Sequence, residues 1–422
     1  MKPVIIVGFG PVGAILSLLL ARRGIPVVVV EASASYPDEP RAVGFFGPSH
    51  FVLQEAGVYE EAKAEGLSSA GLCYRKRAAD DGVGGLKWGD IIASAPFAQP
   101  VDGEYPIGSY LLLLPQAQLV KIAARKIQES EASGLAKVHL GHRFVSSEEV
   151  DDGVVVTVEG RDGNPIVLHG SYIVAADGSQ STVRRSLGLK LCGYSWPARL
   201  ISTDVSWTVP EVPEIPSCLV VDQEYWAAIT PLEPINPGSP GLWRFSMAVS
   251  DPDIPDERLQ DVSFVEDLVK KHITGPRDRD FEIVRFRPYK MHQLLCPVMR
   301  KSRALLAGDS AHINNPIGGL GLNTGILDAD ALAQTFDLVL NRGQSEALFD
   351  QYSYERRRVF QLYVNPISAA NKQRLHDSNP DTAAQDDWFF AGIAGDDPEL
   401  SAAPHRILME NWRTDMSRFL AT

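Results

Sequence analysis

Cysteine is scarce in this chain of 422 residues: Cys73, Cys192, Cys218 and Cys296 stand far apart and no two form a C-x-x-C pair. That spacing offers neither a zinc site nor a disulfide framework, and it makes a reducing, cytoplasmic setting the expectation. Long apolar runs are missing as well. The longest, residues 14–21, is far too short to cross a bilayer, and Met1-Lys2-Pro3 leads into an apolar strand with no cleavable leader pattern. Basic clusters are few. With a formal net charge of −13, no stripe of Lys and Arg could neutralise a run of phosphates, which argues against a nucleic-acid partner. The one tight triplet, Arg356-Arg357-Arg358 beside Glu355, reads as a solvated helix face. His139 and His142 have no third ligand nearby, so no metal is expected. A G-x-S-x-G elbow is also absent, which sets serine-hydrolase chemistry aside.

What is present is a chain with 45% apolar residues, long enough for two or three domains and a large core. Periodicity predicts a strand at 4–7, a helix at 11–23 and a strand at 26–31, which together form a βαβ unit. A helix at 48–56 ending at Gly57, a strand at 110–114 and a helix at 116–129 follow. Between 138 and 175 the pattern becomes an antiparallel meander: 143–150, 154–159 and 166–173 are separated by Asp151-Asp152-Gly153 and Asp162-Gly163-Asn164-Pro165. Residues 190–300 alternate as a second, β-rich region, with strands at 198–209, 217–229 and 242–249. Helices at and beyond Asn323, including 347–363, precede a tail after Pro380 that reads as short and irregular.

Gly8-Phe9-Gly10-Pro11-Val12-Gly13 is a G-x-G-x-x-G run between the first strand and the first helix. Such glycines permit a tight turn and close approach to a pyrophosphate. Glu31, 18 residues beyond Gly13 at the end of the second strand, can bind ribose hydroxyls. Because a carboxylate there disfavours a 2′-phosphate, this site should take NAD or FAD rather than NADP.

Two further segments narrow the choice. In Tyr172-Ile-Val-Ala-Ala-Asp177-Gly178-Ser-Gln-Ser181-Thr-Val-Arg184 an Asp-Gly turn follows an apolar strand, with Ser181 and Arg184 spaced to tie the next helix back onto it. From Gly308 to Asp328, a short strand at 303–307 delivers Asp309 to a sheet end, where it could accept hydrogen bonds from a polyol. Gly318, Gly319 and Gly321 would let backbone approach a flat ring, and Asn323 or Thr324 would begin an apolar helix whose N-terminus favours negative charge on that ring.

In this order and spacing the three segments resemble the class A flavoprotein monooxygenases, the family of para-hydroxybenzoate hydroxylase and phenol hydroxylase. The resemblance implies an α/β chain with a Rossmann-like, GR2-type FAD-binding domain, a β-rich substrate domain and a helical C-terminal part. The FAD-binding domain would comprise 1–73, 106–189 and 296–365, the substrate domain 74–105 and 190–295, and a helical or irregular tail 366–422. Gly8, Gly10, Gly13 and Glu31 would hold the ADP half of FAD. Arg41, in Pro40-Arg41-Ala42-Val43, matches an arginine near the pyrophosphate, and Gln116 a glutamine that touches FAD. Asp177 and Gly178 match the family's Asp-Gly signature, linked to FAD and NAD(P)H handling. Asp309 matches the ribityl-binding aspartate, Pro316 the proline beside the ring, and Gly319 and Gly321 the close-approach glycines. Leu322 and Asn323 match positions whose backbone N–H groups face the pyrimidine edge. Tyr352 and Glu355-Arg356-Arg357 resemble a mainly structural helix. Two departures stand out: Asn314-Asn315-Pro316 replaces a His or Pro-Pro version, and no thioredoxin-like C-terminal domain is expected.

The activity so implied is insertion of one oxygen atom from O2, by way of a C4a-hydroperoxyflavin, into a phenol-like aromatic substrate, with NADH or NADPH as transient electron donor. No second G-x-G-x-x-G exists for the nicotinamide cofactor. A monomer or homodimer is expected. The group that activates the substrate should lie in the β-rich region, where Arg199, Tyr225, Trp226, Arg244, Tyr289 and His292 are candidates; ordinary strand packing is the better reading of Tyr225 and Trp226, a satisfied structural histidine that of His292, and His312 reads as shaping its loop. The alternatives are epoxidation, indole oxidation or Baeyer–Villiger-type insertion on a bulky natural product, and a flavin reductase or halogenase. The halogenase W-x-W-x-I-P element is only half met by Val205-Ser206-Trp207-Thr208-Val209-Pro210.

Overall fold

The protein is described by a computed structural model that covers residues 1–36, 41–69, 71–96, 100–131, 134–395 and 412–420. A six-stranded sheet has the order Ala136–Leu140, Val27–Glu31, Val4–Val7, Tyr172–Ala175, Ala304–Leu306, Arg300–Lys301. All neighbours are parallel except the last pair. Valine and isoleucine dominate its central strands, as suits strands covered on both faces. The helix Pro11–Arg22 is buried from Gly13 to Ala21 and joins Leu320–Phe336 in the same core.

The antiparallel meander forms from Arg143–Val150, Gly153–Glu159 and Pro165–Gly170. The single strand expected at 166–173 is instead two. A Cβ at Gly170 would lie 2.8 Å from both Pro3 O and the Ile5 side chain, so the chain passes close over the first strand there. Ser171 N–H then donates to Pro3 O at 2.8 Å and Tyr172–Ala175 enters the parallel sheet.

An eight-stranded sheet runs His312–Ile313, Phe281–Leu295, Cys192–Thr208, Pro240–Val249, Ala227–Pro231, Cys218–Val221, Gly71–Lys76, Ile91–Pro96. The strand expected at 217–229 is a hairpin, because the Asp222 carboxylate accepts the N–H groups of Glu224 (2.9 Å) and Tyr225 (2.7 Å) and turns the chain. One face of this sheet packs on Val262–Val269 through Ile201, Val205, Trp207, Trp243 and Phe245. Its other face carries Leu200, Trp226, Ala248 and Met291 and meets Ile317, Leu375 and Phe390.

The C-terminal region departs furthest from expectation. Ala347–Val359 continues through a wider π turn, Phe360–Val364, into Asn365–Asp377. Beyond Pro380 the chain is ordered into Trp388–Ala394, capped by Asp387 on the N–H groups of Phe389 and Phe390, while Trp412 and Met416 lie in the main core. Residues 396–411 and Pro40 fall outside the described residues. Arg356 is 0% exposed, so the basic triplet is not a solvated face; only Arg358 is exposed.

His50, also 0% exposed, links two loops: Gly108 N–H donates to its Nδ1 at 3.2 Å, so its Nε2–H donates to Phe45 O at 2.9 Å. Burial lowers its pKa to about 4 against the weaker opposing pull of the Phe45 carbonyl. As pH falls below the ordinary histidine value of 6.5, the unfolded chain binds a proton that the folded one refuses until about 4, and stability is lost across that window. His272, lowered to about 3 chiefly by burial, acts with the same sign. At pH 5 the His50 share is about 2 kcal/mol. Thermal melts should therefore show a smaller loss between pH 7 and 5 for His50→Gln, which offers one donor and one acceptor but no titrating group, than for the wild type. An unchanged loss would contradict the assignment.

Candidate functional site

The first glycine loop is fixed by close backbone packing. Gly8 has φ +102°, and a Cβ on it would lie 2.4 Å from Ala176 O; a Cβ on Gly13 would lie 2.0 Å from Gly8 O. At Gly10 a Cβ would meet nothing within 4 Å, so that position opens outward above the uncapped N-terminus of Pro11–Arg22. Glu31 holds the loop from the side, its two oxygens accepting from Phe9 N–H and Ser33 N–H, each at 2.8 Å. Each oxygen keeps a lone pair for a ribose hydroxyl.

The second segment lies against the first. Asp177 Oδ2 accepts from Thr182 N–H (2.7 Å), Thr182 Oγ1 (3.0 Å) and Val183 N–H (3.3 Å), whereas its buried Oδ1 has no partner. Gly178 takes φ +77°. Ser181 caps Thr182–Ser186 by accepting from Arg184 N–H, and the Arg184 guanidinium spans to Ser179 O (2.9 Å) and Ser310 O (3.0 Å). That last bond ties the second segment to the third.

In the third segment Asp328, fully buried, serves as a hub. Its Oδ2 accepts from Gly308 N–H (2.9 Å) and His312 Nε2 (2.6 Å), and its Oδ1 from Arg356 Nε (2.7 Å). Burial would raise this carboxyl, but His312 and Arg356 outweigh it and hold the group below the usual carboxylate range. Arg356 also donates to Trp412 O (2.6 Å) and Thr414 Oγ1 (3.1 Å). Gly308 and Gly325 both press on Val12, where a Cβ would approach Cγ2 to 2.8 and 2.7 Å, so the first and third motifs are in contact.

Beside this hub Asp309 is exposed to solvent, yet the protein around it raises its carboxyl above the usual range, desolvation being the largest cause and His312 and Arg41 acting against it. A group that solvent reaches and protein surrounds stands in a recess of the surface. Arg41 reaches the same recess. Its segment pairs with the start of Gln116–Glu131, since Gln116 N–H donates to Ala42 O (3.0 Å) and Leu114 N–H to Val43 O (2.7 Å).

The turn at Pro316 is exposed, with Gly319 N–H donating to Pro316 O at 3.0 Å. Gly319, at φ +67°, caps the helix Leu320–Phe336 without a side-chain bond, so the helix starts before Asn323 rather than at it. The N–H groups of Gly321 and Leu322 therefore lie in an uncapped first turn. The Asn323 side chain is occupied: Oδ1 accepts from Phe46 N–H (3.3 Å) and Nδ2 donates to Gly44 O (2.9 Å) and Gly319 O (2.8 Å). Gly321 faces Asn314, whose buried Oδ1 has no partner.

Sequence reasoning missed the residues beneath this turn. Asn315 Oδ1 accepts from Ile317 N–H (3.0 Å), an Asx turn around Pro316 that the Asn-Asn-Pro run could have signalled. Gln293 Oε1 accepts from Asn315 N–H (2.8 Å), while its Nε2 donates to Ser368 Oγ (2.9 Å) and to Asn365. These contacts join residues far apart in the chain, and no local pattern announces them.

Of the candidates in the β-rich region, Arg199, Tyr225 and His292 lie on the far face of the eight-stranded sheet. Arg199 clamps Asp251 O, Ile254 O and Asp256; Tyr225 lies under Arg77 and Lys271; His292 Nδ1 pairs with Ser195 Oγ at 2.8 Å. Successive strand residues alternate faces, which leaves Trp226, Arg244 and Tyr289 on the other face. Arg244 grips Asp204 with two bonds (2.7 and 2.8 Å) and donates to Arg41 O, so it bridges the sheet to the Arg41 segment. Tyr289 is only partly buried, but desolvation pushes its hydroxyl above the tyrosine range, with Ser246 hydrogen bonding to it and Arg244 acting the other way.

These features fit FAD: an open Gly10 above a helix N-terminus, an unpartnered Asp177 oxygen, a desolvated Asp309 in the recess, and an uncapped helix end beside a turn where side chains are excluded. Asp309→Ala should weaken FAD binding by about tenfold or more, with no loss of thermal stability in the flavin-free protein. Tight FAD retention, read by quenching of flavin fluorescence, would contradict the role. Arg356→Leu strands a buried carboxylate and should cost about 3–5 kcal/mol in urea unfolding. The double variant with Asp328→Leu should lose less than the sum of the two single variants; a loss equal to that sum would show that the pair is not coupled.

The family described as FAD binding domain matches residues 1–366. The para-nitrophenol 4-monooxygenase of Pseudomonas sp. (strain WBC-3) is 31% identical over 391 residues, 92% of this chain and 90% of that protein. The 6-hydroxy-3-succinoylpyridine 3-monooxygenase HspB of Pseudomonas putida (strain DSM 28022 / S16) is 31% identical over 386 residues, 91% of each. The crystal structure of p-nitrophenol 4-monooxygenase PnpA from Pseudomonas putida DLL-E4 aligns with a TM-score of 0.82 and 28% identity over 97% of both chains. A family match over most of the chain, with relatives aligned nearly end to end on the same fold, makes this chain a member of the FAD-binding-domain family and an FAD-dependent class A flavoprotein monooxygenase of the para-hydroxybenzoate hydroxylase fold.

Proposed function

We propose that the protein is an aromatic hydroxylase that adds one oxygen atom from O2 to a phenol-like substrate, with NADH or NADPH as transient electron donor. The observation that carries this reading is the tie between two walls, Arg244 on Arg41 O and Gln293 on Asn315, which sets the eight-stranded sheet against the segments of the flavin site. One wall carries the solvent-exposed Asp309 and the other the sheet face bearing Ser246 and Tyr289. Bound FAD supplies the oxygen chemistry; the protein supplies position, charge and dryness.

In this reading Gly8, Gly10 and Gly13 let the pyrophosphate approach the helix N-terminus while Arg41 offsets its charge. Glu31 takes the ribose hydroxyls. Asp177, through its free oxygen, Gly178 and Gln116 line the same run, and Asp309 takes the ribityl chain. Pro316, Gly319 and Gly321 bound the ring, with the Leu322 and Asn323 backbone at its pyrimidine edge, where the helix end stabilises negative charge. Tyr289 stays protonated at neutral pH and can hydrogen-bond a phenolic oxygen. The parallel-sheet segments would make up the flavin-binding domain and the eight-stranded sheet the substrate domain. The hydroxylase relatives support a small aromatic substrate.

The FAD-loaded protein should oxidise NADH or NADPH faster when a phenol such as 4-nitrophenol is added, with uptake of O2 and a product heavier by one oxygen atom. A preparation that holds FAD but shows neither stimulated oxidation nor an oxygenated product across a panel of phenols would overturn the proposal.

A further inference from the structure

Lys372 is 5% exposed, on the helix Asn365–Asp377 that covers the Trp226 face of the eight-stranded sheet. Its Nζ lies 4.9 Å from the Trp196 ring centroid and 5.5 Å from that of Trp226. Among the described residues it has no carboxylate within ion-pair distance and no hydrogen-bond acceptor. Asp377, the acid whose charge reaches it, bonds to His376, and the neighbouring Arg374 is paired with Asp387 at 3.2 Å. Buried ammonium groups ordinarily have an anion, because burial without one is costly. Two indole faces offset part of that cost and leave the charge itself unneutralised. Desolvation correspondingly lowers the Lys372 pKa.

The place of this cation is informative. Trp226 belongs to the same packed cluster as Ile317, the residue after Pro316, and Leu375, with Tyr289 and Ala228 beside them. A cation among aromatic and apolar walls, next to the turn expected at the flavin ring, fits a flat ring that brings its own negative oxygen.

We propose that the Lys372 ammonium, clasped between Trp196 and Trp226, binds a ring-borne anionic oxygen of the aromatic substrate, so that the site selects phenolates over neutral arenes. This rests on the hydroxylase reading and names the substrate class of that same site. Tyr289 and Tyr74 are the titratable groups that face the cluster from the sheet; as neutral hydroxyls they cannot replace the charge.

The test uses FAD-loaded protein titrated with 4-nitrophenol, 4-hydroxybenzoate and 4-nitroanisole, the last a neutral ether of the first, with ligand and flavin spectra recorded together. Below the ligand's own pKa, the wild type should bind 4-nitrophenol with the absorbance of the phenolate. Lys372→Met should bind it about tenfold or more weakly and as the neutral phenol, with 4-nitroanisole affinity unchanged and Lys372→Arg restoring most of the loss. If Lys372→Met binds 4-nitrophenol with wild-type affinity and spectrum while stimulated NAD(P)H oxidation persists, the Lys372 assignment falls and the hydroxylase reading stands. If the wild type binds none of the three aromatics, both fall. Should Lys372→Met fail to fold, the wild type alone decides: 4-nitrophenol bound as the neutral form, no tighter than 4-nitroanisole, overturns the proposal.

Discussion

One buried carboxylate organises the centre of this molecule. Asp328 accepts at once from the backbone at Gly308, from His312 and from Arg356, and so fixes the turn where strand Ala304–Leu306 becomes the loop that carries Asp309. A carboxylate sealed in the core would be costly alone; here its charge is met on both oxygens. The same arginine holds Trp412 and Thr414, which anchors the last described stretch of chain against the core. A site-forming loop is thus braced from behind by groups that never face the recess.

Around that hub, three motifs distant in sequence are joined by contacts too short for larger side chains. Gly8 lies under Ala176, Gly308 and Gly325 lie on Val12, and Arg184 reaches Ser310. Removing side chains at these points brings backbone together and leaves Gly10 and Asp309 facing open space. The sheet that forms the other wall is tied to this assembly by Arg244 on Arg41 O and by Gln293 on Asn315. Position of the two walls therefore depends on buried polar bonds, which are directional, and not on apolar packing alone.

The βαβ unit, the meander and the order of the motifs were legible because each is local: a period, a glycine spacing, an Asp-Gly turn. Errors arose where distant contacts decide. Gly170 breaks a strand because Pro3 and Ile5 are close, and Asp222 turns a hairpin inside what reads as one alternating run. Arg356 sits in a basic triplet that suggests solvent, but Asp328, 28 residues earlier, takes it into the core. The helix end at Gly319 could not be placed from apolar spacing, since a left-handed glycine cap starts it earlier than its apolar face suggests. In the eight-stranded sheet, alternation could say that Tyr225 and Trp226 face opposite ways, but not which of them packs toward Ile317. Lys372 carries no local signal, as its partners Trp196, inside a strand, and Trp226, just ahead of one, lie far from it in sequence.

The central claim is that these separate segments form one flavin seat. A crystal structure of the protein with FAD tests it most directly. The account predicts one FAD per chain, its pyrophosphate at Gly10, its ribityl chain on Asp309 and its ring between the Pro316–Leu322 turn and the sheet face bearing Tyr289. A flavin bound elsewhere, or a cleft that stays closed to FAD at saturating concentration, would contradict it.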